Sequence, residues 1–315
     1  MNEFAERIER DYPVRHKEKE KVNFRTWLVH TLKELGYSPR LEGGTSALTM
    51  GGNMTNVVVG DIERAKIVLA AHYDTGVREI LPPLLCPTRP ATFLLYQALF
   101  PLFVIAVSFL VSFGVTFALN LPNMTLPLFL LFLIVALFYP KYGKSEQDNL
   151  NDNTSGVVAL LEVAKTLTPR YRSEVCFLFL DGGTQASKGA KGLVRAHPEL
   201  KKKSVIVLDC VGEGDELLIL PGRTSRWNDS LLDTILENFS NSEKKTCFLK
   251  TDGLVYYPSD NRAFAGGTAI CACKTVKGFG RCILPRCAKE IDEENLSLLC
   301  DGLCKLVTYY RPQNA

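Results

Sequence analysis

The chain has 315 residues, 46% of them apolar and 23% charged, and its 37 Lys and Arg against 34 Asp and Glu leave a net charge of +3. That balance excludes a disordered chain, a collagen-like fibre and a strongly basic nucleic-acid binder, so no nucleic-acid partner is expected. The length admits two domains or one large α/β domain.

In chain order, residues 2–36 read as helical, because Phe24, Leu28, Leu32 and Leu35 recur at helical spacing and Gly36 closes the run. The mixed charges from Arg15 to Lys21 read as a solvated helix face whose basic members can also meet anionic lipid. Residues 48–59 suggest a β-hairpin turning at Gly51-Gly52-Asn53, and residues 67–74 a short apolar strand with a polar end.

Between Pro90 and Pro140 there is no Asp, Glu, Lys or Arg. Apolar runs at 93–118 and 125–139 flank a turn rich in Asn and Pro. As helices they would be about 39 Å and about 22 Å long, against a bilayer core of about 30 Å. The reading is a two-helix transmembrane hairpin, residues 90–140, inserted into one α/β domain formed by residues 1–89 and 141–315. A helical pair buried in a soluble core is the alternative, and the short second run and Pro101 leave a re-entrant hairpin open. Arg78, Arg89, Lys141 and Lys144 flank the hairpin while its loop carries no Lys or Arg. The positive-inside rule then puts the α/β domain in the cytoplasm, and the charge-rich N-terminus has no signal-peptide core. The bilayer is thus the first expected partner.

Beyond the hairpin, residues 152–167 read as a helix, 175–180 and 205–208 as buried strands each followed by an Asp, and 187–196 as a helix between them. Further helices are expected at 227–239 and 292–309 and a late strand at 268–274; residues 247–255 are ambiguous. Continuous apolar strands alternating with helices predict a mixed, largely parallel central sheet flanked by helices. Six of the ten cysteines lie from Cys271 onward, without the CxxC spacing of a structural zinc knuckle, and read as buried free thiols.

In open α/β sheets, functional groups gather at the carboxyl ends of strands. His72, Asp74, Asp152 and Asp209 fall at such places, and an imidazole converging with carboxylates is a zinc-type donor set. Taken singly, each has a plain structural reading as a core histidine, a helix cap or a strand-end turn residue.

Together, the segments Ala70-Ala-His72-Tyr-Asp74, Asp152-Asn-Thr-Ser-Gly, Val205-Ile-Val-Leu-Asp209, Ser259-Asp260-Asn-Arg-Ala-Phe264 and Ile291-Asp-Glu-Glu-Asn resemble, in order, the M28-type zinc exopeptidases, whose fold is shared with glutaminyl cyclases. The resemblance implies a zinc-exopeptidase-like fold, with His72 and Asp209 as ligands of one zinc, Asp152 as a bridging carboxylate and Asp74 as the carboxylate that orients His72. It also implies a Glu-Glu pair after Asp181, the first a general base and the second a ligand of the other zinc. This chain has Gly183 and Thr184 there. The final histidine ligand of the family falls near Cys282, which as a thiolate could stand in, and Glu213 is a candidate replacement base. One zinc is expected, two if Cys282 serves, and none if the half-site has also lapsed. The function implied is a catalytically impaired, membrane-anchored protein that binds a peptide or protein partner or acts as a scaffold. An active zinc aminopeptidase using the surviving ligands is the alternative.

Overall fold

In the computed structural model, the structure describes residues 2–44, 54–78, 84–283 and 290–312. Two N-terminal helices, α1 (Glu3–Asp11) and α2 (Glu18–Glu34), stand where one continuous helix was expected. Pro13 explains the break, since the residue before a proline is driven out of the helical region, and Tyr12 lies at φ −136°, ψ 43°. The intervening segment turns inward. Arg15 is fully buried and Lys21 is 4% exposed, so the expected solvated face is wrong for both. Their charges meet buried acceptors instead: Lys21 Nζ donates to Asp181 Oδ1 at 2.8 Å, and Arg15 donates to the Tyr73 and Tyr12 carbonyls and to Thr154 Oγ1.

The strands are β1 (Pro39–Gly44), β2 (Met54–Val59), β3 (Ile67–His72), β4 (Val175–Leu180), β5 (Ser204–Leu208), β6 (Glu216–Pro221), β7 (Thr246–Leu249), β8 (Gly266–Val276) and β9 (Gly280–Cys282). Eight run in the order β1-β2-β4-β3-β5-β8-β6-β7, with β9 paired to β8. The centre, β4-β3-β5-β8, is parallel, and β1-β2, β2-β4, β6-β8 and β8-β9 are antiparallel. β2 pairs with residues 39–44 on one side and with β4 on the other, and the first arm and turn of the expected hairpin, residues 48–53, lie outside the described residues. Sequence reading raised no expectation of β6, which pairs antiparallel with β8 and parallel with β7.

Alternation along the central strands explains why the sheet is covered on both faces. Ile67, Leu69 and Ala71 share a core with Phe177, Phe179, Ile206 and Leu208 on one side, while Val68 and Ala70 pack with Leu178, Val205 and Val207 on the other. The first side receives α1, α2, α5 (Ser155–Thr166), α7 (Asp229–Asn238) and α8 (Glu293–Tyr309); the second receives α6 (Lys188–Ala196).

Before α5 the chain forms α3 (Pro90–Ala118) and α4 (Thr125–Tyr142), which pack on each other. Among the described residues, α3 alone is long and apolar enough to cross a membrane; the apolar helical stretch at Pro122–Ala136 is shorter. On α3 the buried positions include Ser108, Ser112 and Thr116, one helical turn apart, and Thr116 Oγ1 meets Thr125 Oγ1 at 2.7 Å. Leu99, Phe103, Leu110 and Phe117 are exposed.

Leu69 sits between the two layers of helices with no exposed surface. Leu69→Ala is expected to lower the unfolding free energy by about 2–5 kcal/mol. The same change at exposed Leu236 should stay within about 0.5 kcal/mol; chemical denaturation of the detergent-solubilised chain measures both.

Candidate metal centre

His72 is the last residue of β3, Asp209 follows β5, and Asp152 lies in the turn that leads into α5. Because β3 and β5 are parallel neighbours, their carboxyl ends deliver His72 and Asp209 to one edge of the sheet. The turn at 150–154 departs from helical geometry at Asp152 and Asn153, so α5 begins at Ser155 and not at Asp152 as the sequence suggested. The Asp152–Asn153 peptide is cis. Asn153 ties this turn to the sheet, its Nδ2 donating to Leu208 O at 2.9 Å and its Oδ1 accepting from the Cys210 amide at 3.2 Å. Asn151 Oδ1 likewise accepts from the Gly212 amide at 2.8 Å.

The three side chains converge. His72 Nε2 lies 3.4 Å from Asp152 Oδ1 and 4.0 Å from Asp209 Oδ1, and one donor atom from each of the three lies within 4.8 Å of the others. Two ligands on a tetrahedral zinc, at bond lengths of about 2.0–2.2 Å, stand roughly 3.3–3.6 Å apart. The trio therefore has the donor chemistry for a zinc-sized cation; the His72–Asp152 separation matches that spacing, while the 4.0 Å from His72 to Asp209 is wider, so Asp209 would have to draw in to bind.

Behind the imidazole, His72 Nδ1 is 3.4 Å from Asp74 Oδ1 and 3.2 Å from the Asp74 carbonyl. Burial works against the charged imidazole, but Asp152 and Asp74 outweigh it and hold the His72 pKa well above the usual histidine range. Burial would likewise raise Asp74, yet His72, the Thr184 hydroxyl and the Gly183 amide bring it down to about 2. Asp74 accepts from the Gly183 amide at 2.8 Å, the Thr184 amide at 3.2 Å and the Thr184 hydroxyl at 2.6 Å.

That last contact decides what the Gly183-Thr184 turn can do. A Cβ on Gly183 would fall 2.4 Å from His72 Cγ and 2.5 Å from His72 Cβ, far inside ordinary van der Waals contact. The position cannot carry a glutamate unless His72 moves. Thr184 is engaged with Asp74, so its hydroxyl is not aimed at the trio. Asp181, at the end of β4, faces Lys21 and the Thr55 amide.

The remaining candidates separate. Cys282 does not join the trio; it lies on β9 with its sulfur 3.1 Å from that of Cys86. Glu213 is ion-paired to Lys274 at 2.5 Å and lies outside the residues that line the pocket, which removes it as a replacement base. Asp260 does line it. The pocket holds about 130 Å³ and is lined by His72, Asp152, Asp209, Thr184, Asp260 and Leu85, among others. Asp260 is 2% exposed and, apart from a contact with the Ser187 hydroxyl that favours its anion, makes no hydrogen bond among the described residues; burial pushes its pKa up to about 6. Sequence reasoning missed Cys210 and Tyr257, which also line the pocket. Cys210 donates to Asp209 Oδ1 at 3.3 Å, and burial keeps it a thiol. Its left-handed backbone, φ 55°, gave no signal in the sequence.

Residues 141–280 match the family model described as Peptidase family M28. Comparison with curated proteins found no match. Among solved structures, a glutaminyl cyclase of Porphyromonas gingivalis is similar at TM-score 0.57 and 14% identity, over 97% of this chain and 95% of that one. A leucine aminopeptidase precursor from Bacteroides thetaiotaomicron gives 0.55 and 13%, over 98% and 95%. A Zn-dependent exopeptidase from Parabacteroides distasonis gives 0.55 and 13%, over 98% and 96%. At such low identity these structural likenesses show the fold alone, a mixed α/β architecture with a mostly parallel central sheet.

Gly183→Ala is expected to displace His72 and weaken zinc binding by about 10- to 100-fold, measured by competition with a chromophoric chelator. Zinc uptake should also release a proton, because the metal-free imidazole, with its raised pKa, is charged at pH 7. Affinity should then fall as pH is lowered. Calorimetry in two buffers of different ionisation enthalpy counts that proton; equal heats in both would contradict it.

Proposed function

We propose that this M28-type family member, matched over residues 141–280, is a membrane-anchored, metal-binding protein with impaired peptidase chemistry, and that its pocket binds the amine-bearing end of a peptide or protein partner. The observation that carries the reading is the packing of Gly183 against His72, which leaves no room for a base where the family resemblance implies one. A positioned general base is worth about 10²- to 10⁴-fold in rate.

His72, Asp152 and Asp209 would hold a zinc, which when bound supplies Lewis-acid polarisation and positive charge to an adjacent carbonyl. The chain's own residues then account for recognition. Asp74 orients the imidazole through Nδ1. Asp260 contributes a buried carboxylate to the lining of the same cavity, a fitting counter-charge for an ammonium group. At about 130 Å³ the pocket admits a chain end and not an extended segment. The surviving trio also supports a second reading, slow one-metal hydrolysis by an active aminopeptidase.

Anchoring rests on the hairpin. At 29 residues α3 is about 44 Å long. Its exposed leucines and phenylalanines form a larger apolar surface than water-soluble proteins tolerate. The seam of Ser108, Ser112 and Thr116 against α4 is of the small-residue kind that brings helices together in lipid. With α4 as the return span, the basic residues that flank the hairpin support an α/β domain on the cytoplasmic side.

Elemental mass spectrometry of the detergent-purified chain is expected to find one zinc, lost in His72→Ala and Asp152→Asn, with amino-acid amide hydrolysis at background. Two zincs, or turnover that Asp152→Asn abolishes, would favour the aminopeptidase instead. In alkaline carbonate extraction the full chain should stay with membranes. Replacement of residues 90–140 by a short polar linker should release it; full-length chain in the supernatant would overturn the anchoring.

A further inference from the structure

Cys86 and Cys282 are 1% and 0% exposed, and their sulfurs are 3.1 Å apart. Their backbones are brought together by an antiparallel bridge between Leu85 and Ile283, in which the Ile283 amide donates to the Leu85 carbonyl at 2.8 Å. Leu85 and Ile283 therefore form a hydrogen-bonded pair, and the next pair along, Cys86 with Cys282, is directly opposed and not hydrogen-bonded. Cα atoms in such a pair stand about 4.5 Å apart. That is within the roughly 4.4–6.8 Å that a disulfide spans. A shared metal is the competing explanation for two facing thiols. Thiolates on a tetrahedral zinc, with bonds of about 2.3 Å, would be roughly 3.8 Å apart. The observed separation is shorter than that, and closing to a covalent bond requires about 1 Å of approach.

We propose that Cys86 and Cys282 are a disulfide-forming pair that locks the wall of the metal pocket to the sheet when the protein meets a low-molecular-weight disulfide oxidant. One protein thiolate attacks the oxidant, displacing one of its sulfurs as a thiolate and leaving a mixed disulfide. The second protein thiolate then attacks the protein-side sulfur and displaces the other half. Two protein thiols are oxidised, one small disulfide is reduced to two thiols, and the two protein protons end on those products.

The bond would act at two places. Leu85, next to Cys86, lines the cavity with His72, Asp152 and Asp209, so the bond fixes that wall. Pro90, four residues beyond Cys86, starts α3, so the bond also fastens the root of the apolar helix to β9. Neighbouring contacts already point the same way: the Tyr256 amide donates to Pro87 O at 3.0 Å, and Phe93 packs on Tyr256 with ring centroids 5.5 Å apart. Burial and the facing sulfur push the Cys86 thiol up to about 12, so closure in the folded protein is slow near neutral pH and accelerates in alkali.

The test is peptide mapping of the full-length chain in detergent after incubation with glutathione disulfide at pH 8.5 and 9.5, quenched by alkylation under denaturing conditions. The expected result is a reductant-sensitive crosslink between the Cys86 and Cys282 peptides at both pH values, formed faster at the higher. A thermal midpoint raised by several degrees, and restored on reduction, should accompany it. The map of the wild-type chain is decisive without any variant, and Cys282→Ser serves as the control that should abolish the crosslink. Both thiols fully alkylated at both pH values, stable glutathione adducts on either, or pairing of Cys282 with its neighbour Cys273 would each overturn the proposal.

Discussion

The Asp74 carboxylate holds two parts of the molecule in register. One oxygen faces the His72 imidazole, and the pair together accept the amides of Gly183 and Thr184 and the Thr184 hydroxyl. The end of β3 is thereby fastened to the turn after β4, and the turn is drawn so close to His72 that no side chain fits at Gly183. The orientation of the imidazole and the lack of room for a side chain at Gly183 both follow from this one buried anion.

A buried anion needs compensation, and the N-terminal segment supplies it. Arg15 reaches from the break between α1 and α2 to the carbonyl beside Asp74 and to Thr154 in the turn that carries Asp152. Lys21 and Arg25 lie against Asp181 at the end of β4, and Arg25 also meets the Tyr73 hydroxyl. Burial draws the Arg15 pKa down to about 10, while the charges of Asp74 and Asp152 oppose the shift, so the guanidinium stays charged at neutral pH. These cations behave as parts of the site's scaffold. Removing one weakens the compensation of a buried carboxylate, and a buried charge left with none costs several kcal/mol in general.

The hairpin enters the fold close to the same place. Its first helix begins a few residues past Leu85, and Phe93 rests on Tyr256, whose neighbour Tyr257 donates to the Asp209 carbonyl at 3.4 Å. Apolar side chains face outward along α3 while hydroxyls face α4, the reverse of a helix on a soluble core. Residues that root the hairpin and residues that shape the pocket are therefore neighbours in space, although His72 and Asp209, at the two strand ends, come from opposite sides of the hairpin in sequence.

Local periodicity made most of the frame legible. The strands at 67–72, 175–180 and 205–208 follow from continuous apolar runs and the C-terminal helix from its amphipathic spacing, and the positions of His72, Asp152 and Asp209 relative to them suggested a common site. Residue identity also showed that Gly183 and Thr184 lack carboxylates. Pairing partners, by contrast, are long-range properties. The strand opposite β2, the role of β6 and the facing of Cys282 toward Cys86 depend on segments distant in sequence, and a charge run with helical spacing gives no sign that Arg15 and Lys21 find acceptors inside. Sequence by itself determined which chemical groups this protein owns and where its apolar spans lie. The tertiary structure alone decided which of those groups meet, because convergence at a sheet edge, the loss of room at Gly183 and the burial of a charge arise only when strands and helices far apart along the chain are packed together.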